Sequence, residues 1–446
     1  MQSTRDWLEK SNAPFVKIGV TDIDGILRTK YISRDKVMRG LDDGLSFCNV
    51  VFQWDAQDEL YGNGLADPAF GDSPVTVVAG SQRTIPWEND VPFLLADFSS
   101  ASGSDPAVAC PRSLLRSVVE RAEGMGFTAR FGPEYEWFAY RETPDSLADK
   151  QHQNLRPITP GMFGYSGLRT GALSTFHHEL FRQITAFGVD LEGLHTETGP
   201  GALEAALVHQ TALEAADRAV LFKEGVKQIS YRHGFVASFM AKQQADLPGC
   251  GGHLHQSLWR EDVNAFYDEA RPHGMSKTFE HYLAGQLFWL PKLMPLYAPN
   301  VNSYKRYVAG SWAATRANWG VDNRTVALRV IPGGPKSTRL ETRIPGADAN
   351  PYLVIAAALA SGLYGIEHGL ELTTPAVVGS AYEQSVGEEL PKDLGAGAGA
   401  MRAGLAQHNI LAPAFSAHFL KTREWEWSRY QRAVTDWERQ RYFELA

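Results

Sequence analysis

Gly132-Pro-Glu134-Tyr-Glu136-Trp-Phe138 sets two carboxylates inside an apolar run, a pattern that few folded chains can absorb. Strand side chains alternate faces, so Glu134 and Glu136 point the same way. Desolvated like charges repel, and a cation between them relieves both costs. A hard divalent ion such as Mg²⁺ or Mn²⁺ suits oxygen ligands. A solvated strand face is the other reading that this motif allows.

Four further motifs bear on that choice. In His195-Thr-Glu197-Thr-Gly-Pro-Gly-Ala-Leu-Glu204 a Gly-Pro-Gly turn folds two acids towards each other beside a histidine. Gly249-Cys-Gly-Gly-His253-Leu-His255-Gln-Ser257 follows a glycine-rich turn, which lets backbone approach a ligand, with three polar side chains on one strand face. Asn323-Arg324 with Arg329, and Lys336-Ser-Thr-Arg339-Leu-Glu341-Thr-Arg343, add guanidinium forks that match phosphate and carboxylate. Singly, each also fits an exposed hairpin, a satisfied core histidine or a salt-bridged sheet face. Gathered by one sheet, they form a channel suited to phosphoryl transfer.

At 446 residues the chain exceeds one ordinary core, and two domains are expected, 1–106 and 107–446. Strands are expected at 15–23 and 26–32 about a turn at Asp24-Gly25, with shorter pieces over 75–98. A polar linker is expected over 99–105, and a helix from Pro111. Beyond it, strands at 127–139, 190–197, 202–208, 236–241, 253–259, 326–331 and 338–343 alternate with helices at 174–187, 211–232, 276–293, 351–368 and 400–407. Gly395-Ala-Gly-Ala-Gly-Ala400 reads as a flexible connection, since no Gly-Lys-Ser/Thr follows it. A net charge of −8 argues against a nucleic-acid partner. Cys48, Cys110 and Cys250 support neither a disulfide framework nor a zinc motif. No apolar signal region or membrane-spanning stretch is present, so a cytoplasmic protein is expected.

These motifs, in this order, resemble the glutamine synthetase family, together with Asn302-Ser-Tyr-Lys-Arg306 and Asn350-Pro-Tyr352. The resemblance runs from about residue 15 to the C-terminus. It implies an α+β chain, an N-terminal β-grasp-like domain followed by a larger glutamine synthetase-type catalytic α/β domain. It also implies ATP and Mg²⁺ or Mn²⁺ as cofactors. By family pattern Glu136, Glu197 and Glu204 hold one metal, and Glu134, His253 and Glu341 the other. Gly249, Arg306 and Arg343 bind glutamate; His195, His255, Ser257, Arg329, Lys336 and Arg339 surround ATP; Arg324 faces the transferred phosphate. The implied catalytic groups are Arg324, Arg343 and Glu341. The implied assembly is a homo-oligomer with active sites between subunits, a hexamer or a homododecamer of two rings.

The departures concern the amine. Ammonia-using members carry a flap glutamate that binds and deprotonates ammonium; Trp312 stands at that place here. Cys48 stands where those enzymes carry a second acid in the small domain, and Pro248 where many place a glutamate-contacting asparagine. The adenylylation segment Asn-Leu-Tyr is absent. These changes resemble the γ-glutamyl-amine ligase branch, with a mono- or polyamine as acceptor. Trp312 and Cys48 would then line the amine pocket, and Asp55, Asp58 and Glu59 offer a place for the distal ammonium of a polyamine. Ammonia-using glutamine synthetase, a guanidino kinase and an inactive structural relative are the alternatives. Retention of all six metal-ligand positions speaks against the last.

Overall fold

The computed structural model describes residues 2–62, 69–98 and 105–445. The expected linker at 99–105 lies, except for Asp105, outside the described residues.

The first sheet is built from β1 (Phe15–Thr21), β2 (Leu27–Ser33), β3 (Leu45–Cys48), β4 (Asp72–Val77), β5 (Arg83–Ile85) and β6 (Val91–Asp97). Its order is β2-β1-β6-β4-β3, with β5 also on β6 and β1–β6 parallel. This arrangement fits a grasp-like domain. The turn between β1 and β2 forms where expected, with Gly25 at φ 84°, a conformation that glycine adopts at little cost.

The second sheet carries the site. Its strands are β7 (Thr128–Tyr140), β8 (Leu191–Thr196), β9 (Ala202–Leu207), β10 (Gln210–Thr211), β11 (Val236–Ser238), β12 (Leu254–Arg260) and β13 (Val263–Asn264). After the short β14 (Arg316–Ala317), which pairs elsewhere, come β15 (Trp319–Val321), β16 (Leu328–Ile331) and β17 (Arg339–Thr342). The path is β15-β16-β17-β12-β7-β9-β8. The expected strands are all present, although β11 stops at Ser238 rather than at residue 241.

Two helices form the deepest layer. Pro351–Glu367 is buried along nearly its whole length and packs against Lys277–Trp289. A Cβ at Gly365 would lie 2.0 Å from the His281 carbonyl oxygen, and one at Gly285 would lie 2.2 Å from that of Ser361, so the backbones nearly touch. Asn350 caps the first helix by accepting the Tyr352 N–H at 3.0 Å. Its amide also donates to the carbonyls of Asp22 (3.3 Å) and Ile23 (3.1 Å) in the β1–β2 turn, which ties the two sheets together.

The run at 395–400 is not a flexible connection. It lies inside a continuous helix, Leu394–Gln407, capped by Asp393, which accepts the Ala396 N–H at 2.8 Å. Its glycines allow close packing: a Cβ at Gly397 would lie 2.3 Å from the Tyr304 hydroxyl. The helix Pro413–Arg432 follows, with Arg423 reaching Asp24 (2.7 Å) and the Pro299 carbonyl (2.9 Å). Among the described residues no helix is long and apolar enough to cross a membrane.

The tight helix pair gives the first prediction. Gly365→Val should destabilise the protein by at least the ~1–3 kcal/mol typical of overpacking, because the obstacle is backbone. Thermal unfolding of the variant beside the parent checks it, and an unchanged Tm contradicts it.

Candidate active site

Register places the polar groups in rows. Directly opposite residues of an antiparallel pair share a face. Arg329 of β16 pairs with Glu341 of β17, Glu341 with His255 of β12, and His255 with Gly132 of β7. Further along β7, Glu136 pairs with Glu204 of β9, and Glu204 with His195 of β8. The glycine-rich lead-in to β12 runs beside β7, where the N–H groups of Glu134 and Glu136 donate to the carbonyls of His253 and Gly251.

Glu341 is almost fully buried. Arg343 Nη1 donates to its Oε1 at 2.5 Å and Arg329 Nη1 to its Oε2 at 3.0 Å. Burial alone would raise this carboxyl, but Arg343, His253 and His255 outweigh it and hold it at about 2. Each carboxylate oxygen keeps a second lone pair, so the arginines do not prevent ligation of an ion.

Glu134 is governed by two histidines. Arg339 Nε donates to His255 Nδ1 at 3.1 Å, which leaves His255 Nε2–H to donate to Glu134 Oε1 at 3.1 Å. His253 Nδ1 stands 3.7 Å from Glu134 and 3.6 Å from Glu341, beyond hydrogen-bonding range. Burial pushes the Glu134 carboxyl up, yet the two histidines prevail and hold it well below the usual range. Glu134, His255 and Glu341 offer ligand atoms all within 4.8 Å of one another. With both His255 nitrogens engaged, His253 is the freer donor for an ion between Glu134 and Glu341.

On the other side, His195, Glu197 and Glu204 also bring ligand atoms within 4.8 Å. His195 stands 3.7 Å from Glu197 and 3.6 Å from Glu204, and Glu204 raises its pKa. Glu136 accepts the Gly251 N–H at 2.5 Å, and burial raises its carboxyl, helped by the Glu204 charge opposite. A divalent ion would relieve that pair, and the oxygen-rich donor set suits Mg²⁺ or Mn²⁺.

These groups line a cavity of about 650 Å³ that also takes in Gly249, Arg306, Trp312, Arg324, Arg339 and Arg343. Gly249 is required there, since a Cβ would lie 2.5 Å from Arg306 Cγ and 2.6 Å from the Ala241 carbonyl oxygen. Arg306 is buried, and its Nε–H has no partner among the described residues, which fits an acidic ligand. A second cavity of about 240 Å³ adjoins, lined by Ser257, Lys336, Arg339, His255 and Glu134. Cys48 lines neither; it ends β3, with its Sγ 3.4 Å from the Phe70 carbonyl.

Several residues here carried no motif. Tyr165 stacks on His195 with centroids 4.4 Å apart and is 73% exposed. Glu192 lines both cavities, and Asp322 grips Arg329. The one available signal was Gly161-Met-Phe-Gly-Tyr165-Ser-Gly167, a glycine-punctuated aromatic loop.

Residues 108–442 match the model of the glutamine synthetase catalytic domain. The chain belongs to the glutamine synthetase family. It is an enzyme of the carbon–nitrogen ligase class, and members of this family use ATP and divalent metal ions. It is 46% identical to the type-1 glutamine synthetase 2 of Dictyostelium discoideum over 98% of this chain and 84% of that one. It is 34% identical to a glutamate–isopropylamine ligase of Pseudomonas sp over 99% and 97%. A solved GmaS–ADP complex superposes with a TM-score of 0.86 at 29% identity, covering 99% of this chain and all of the other.

The buried acids predict a metal-dependent gain in stability. A site-specific ion at a hundredfold excess over its Kd adds about 2.7 kcal/mol. Mn²⁺ should raise the Tm of the parent, and Glu136→Ala should lose most of that rise together with turnover. An equal rise in both proteins removes Glu136 from the metal site.

Proposed function

We propose that this ligase activates the γ-carboxylate of glutamate with ATP, as γ-glutamyl phosphate, and transfers the γ-glutamyl group to a compact organic amine. The observation that carries the amine is Trp312, 61% exposed on the cavity rim where a flap acid would serve ammonium. An indole neither deprotonates an ammonium nor attracts it as a carboxylate does; it offers apolar and cation–π contact. The resemblances to a glutamate–isopropylamine ligase and, at 35% identity over 96% of this chain and 92% of the other, to a gamma-glutamylethanolamide synthetase of Streptomyces coelicolor support the same reading. The relative in Dictyostelium carries the name of a glutamine synthetase and so favours ammonia as the second reading.

The residues have distinct tasks. Arg306 holds a glutamate carboxylate, with Gly249 giving it room. Arg343 and Arg324 face the growing charge as the γ-carboxylate attacks the γ-phosphorus, and Lys336, Ser257 and Arg339 hold the rest of the nucleotide beside His255. Divalent ions held by Glu136, Glu197 and Glu204, and by Glu134, His253 and Glu341, would neutralise phosphate charge when bound. Preorganised donors of this kind stabilise the transition state without reorganising.

A monoamine fits better than a polyamine. Asp58 is bonded to Arg28 at 2.9 Å and Glu59 to Arg429 at 2.7 Å, while Asp55 accepts the N–H groups of Gln57 and Glu59. Asp58 and Glu59 are thus already paired with arginines, which weakens the pull of this loop on a distal ammonium. We further read the chain as two domains, 1–106 and 107–446, in a cytoplasmic homododecamer whose sites are completed across subunits. The start of the family match at residue 108 supports the division. Cys48, which lies away from this chain's own cavities, is then a contributor to a neighbour's site.

With glutamate and ATP present, kcat/KM for ethylamine or ethanolamine should exceed that for ammonium and putrescine. General-base help is worth about 10²–10⁴-fold, so Trp312→Glu should move the ranking towards ammonium. A clear preference of the parent for ammonium overturns the amine reading. Solution mass showing only active monomers overturns the assembly.

A further inference from the structure

The strands that carry His255 and Glu341 rest on a ring of polar side chains behind the sheet. His255 and Glu341 line the cavity, so by strand alternation Gln256 of β12 and Thr342 of β17 face away from it, towards the deep helices. Both are buried, as are Tyr282 and Gln286 of the helix Lys277–Trp289. Gln256 Nε2 donates to Thr342 Oγ1 at 2.7 Å, Thr342 Oγ1 donates to Gln286 Oε1 at 2.9 Å, and Gln286 Nε2 donates back to Gln256 Oε1 at 2.8 Å. Tyr282 adds a second donor to Gln256 Oε1 at 2.7 Å, and Gln286 Nε2 also donates to the Ala358 carbonyl at 3.0 Å.

The direction of every bond is forced. A carbonyl only accepts, so Ala358 turns the Gln286 amide nitrogen towards itself and leaves the amide oxygen for Thr342. That oxygen also only accepts, so the Thr342 hydroxyl donates to it and accepts from Gln256 Nε2. The Gln256 oxygen then serves Gln286 and Tyr282. Each side-chain polar group of the four residues is bonded, which is the condition under which a buried polar network rigidifies its surroundings.

The ring does what its apolar neighbours cannot. Leu254, Leu258 and Leu340 share its strand faces and are buried. Apolar alternation alone would accept β12 shifted by two residues along β17, which sets His255 opposite Arg339 or Arg343 instead of Glu341. Such a shift carries Gln256 or Thr342 about 7 Å from its place beside Gln286, beyond hydrogen-bond reach. The ring therefore closes in the observed register, with Leu254 opposite Thr342 and Gln256 opposite Leu340.

We propose that Gln256, Thr342 and Gln286, with Tyr282, are positioning residues: their ring fixes β12 against β17 so that His253 and His255 stay facing Glu341. The effect on metal binding rests on the ligand roles proposed above; the bracing of the strands does not.

The test compares full-length Thr342→Val and Thr342→Ser with the parent. Valine keeps the shape and removes the hydroxyl, whereas serine keeps the hydroxyl and loses a methyl. With all three proteins folded, the Kd for Mn²⁺ should rise about tenfold in Thr342→Val, the lower end of the range for groups behind a metal's ligands, and stay within about twofold in Thr342→Ser. Amide hydrogen exchange over 254–258 and 339–342 should speed up in Thr342→Val alone, while 191–207 keeps its protection. Unchanged exchange over these two strands in Thr342→Val overturns the proposal. So does an equal effect of serine and valine, which would mark a packing role. If exchange responds as expected but the parent binds no Mn²⁺, the bracing stands and the metal reading falls. If the parent binds Mn²⁺ and Thr342→Val binds it equally well, the ring does not position the ligands and the proposal is overturned. Should Thr342→Val fail to fold, Tyr282→Phe, which removes one donor and leaves the ring closed, takes its place; faster exchange confined to the same two strands is expected, and its absence overturns the proposal.

Discussion

The site depends on the neutralisation of Glu341. A lone buried carboxylate is among the costliest groups a fold can hold, and removing one partner of such a pair typically costs about 3–5 kcal/mol. Here both oxygens are met by guanidinium groups, Arg343 and Arg329. Each arginine is itself committed elsewhere. Arg329 binds Asp322, and Arg343 Nε donates to the Arg324 carbonyl at 3.1 Å. One charge therefore locks the register of β16 against β17 and fixes the loop from Asp322 to Arg324. The same carboxylate faces His253, and through it Glu134, so the acid–histidine cluster and the arginine cluster meet at one residue.

What was legible in the sequence followed from period two. Glu134 and Glu136, His253 and His255, and Arg339, Glu341 and Arg343 announced themselves because alternation on a strand leaves no freedom about which side chains share a face. Strand pairing then set Glu136 opposite Glu204 and Glu341 opposite Arg329, which no single strand could reveal. Helices with mixed faces were harder to read. The helix Leu394–Gln407 was read only from residue 400, its start hidden by alanine and glycine, which lack helix-period contrast and act by letting Tyr304 and Lys292 approach. Pro413–Arg432 buries Thr422 and Arg423 alongside its phenylalanines, so its apolar stripe is interrupted. Tyr165 and Glu192 escaped for a different reason: one lies on a loop without periodicity, and the other is an ordinary acid at the start of a strand until the sheet places it between two cavities.

The proposed chemistry divides only partly along the same line as legibility. Ser257, Arg339 and the acids Glu134, Glu136, Glu204 and Glu341 project from paired strands, where cross-strand hydrogen bonds and burial allow little movement, whereas Arg324 and Lys336 lie on the loops that flank β16. The residue proposed to meet the amine, Trp312, sits on a loop after the Asn302–Arg306 turn. Loops accept substitution at smaller cost than packed strands, and binding residues concentrate on them for that reason. A chain built this way can exchange its acceptor while the phosphoryl-transfer half stays intact, and the family's spread of named amines, from isopropylamine to ethanolamine, accords with it.

That freedom has a physical limit. An exposed indole in a left-handed backbone is a conformation that costs of order 1–3 kcal/mol, and a mobile flap would simply relax out of it. Among the described residues the bonds that oppose relaxation lie largely outside the flap itself, where Ser311 binds the nearby carbonyls of Arg306 and Val308. They come from β18 (Glu388–Glu389), which pairs with β14, and from the segment 377–387 before it, which also grips Asn323 and Thr325 on either side of Arg324. On the proposed roles of Trp312 and Arg324, selection of the amine and placement of the arginine that would face phosphate are coupled through one stretch of backbone. A substitution at the rim that strains the flap further will be felt at Arg324, and activity lost in such a variant need not mean a lost contact with the amine.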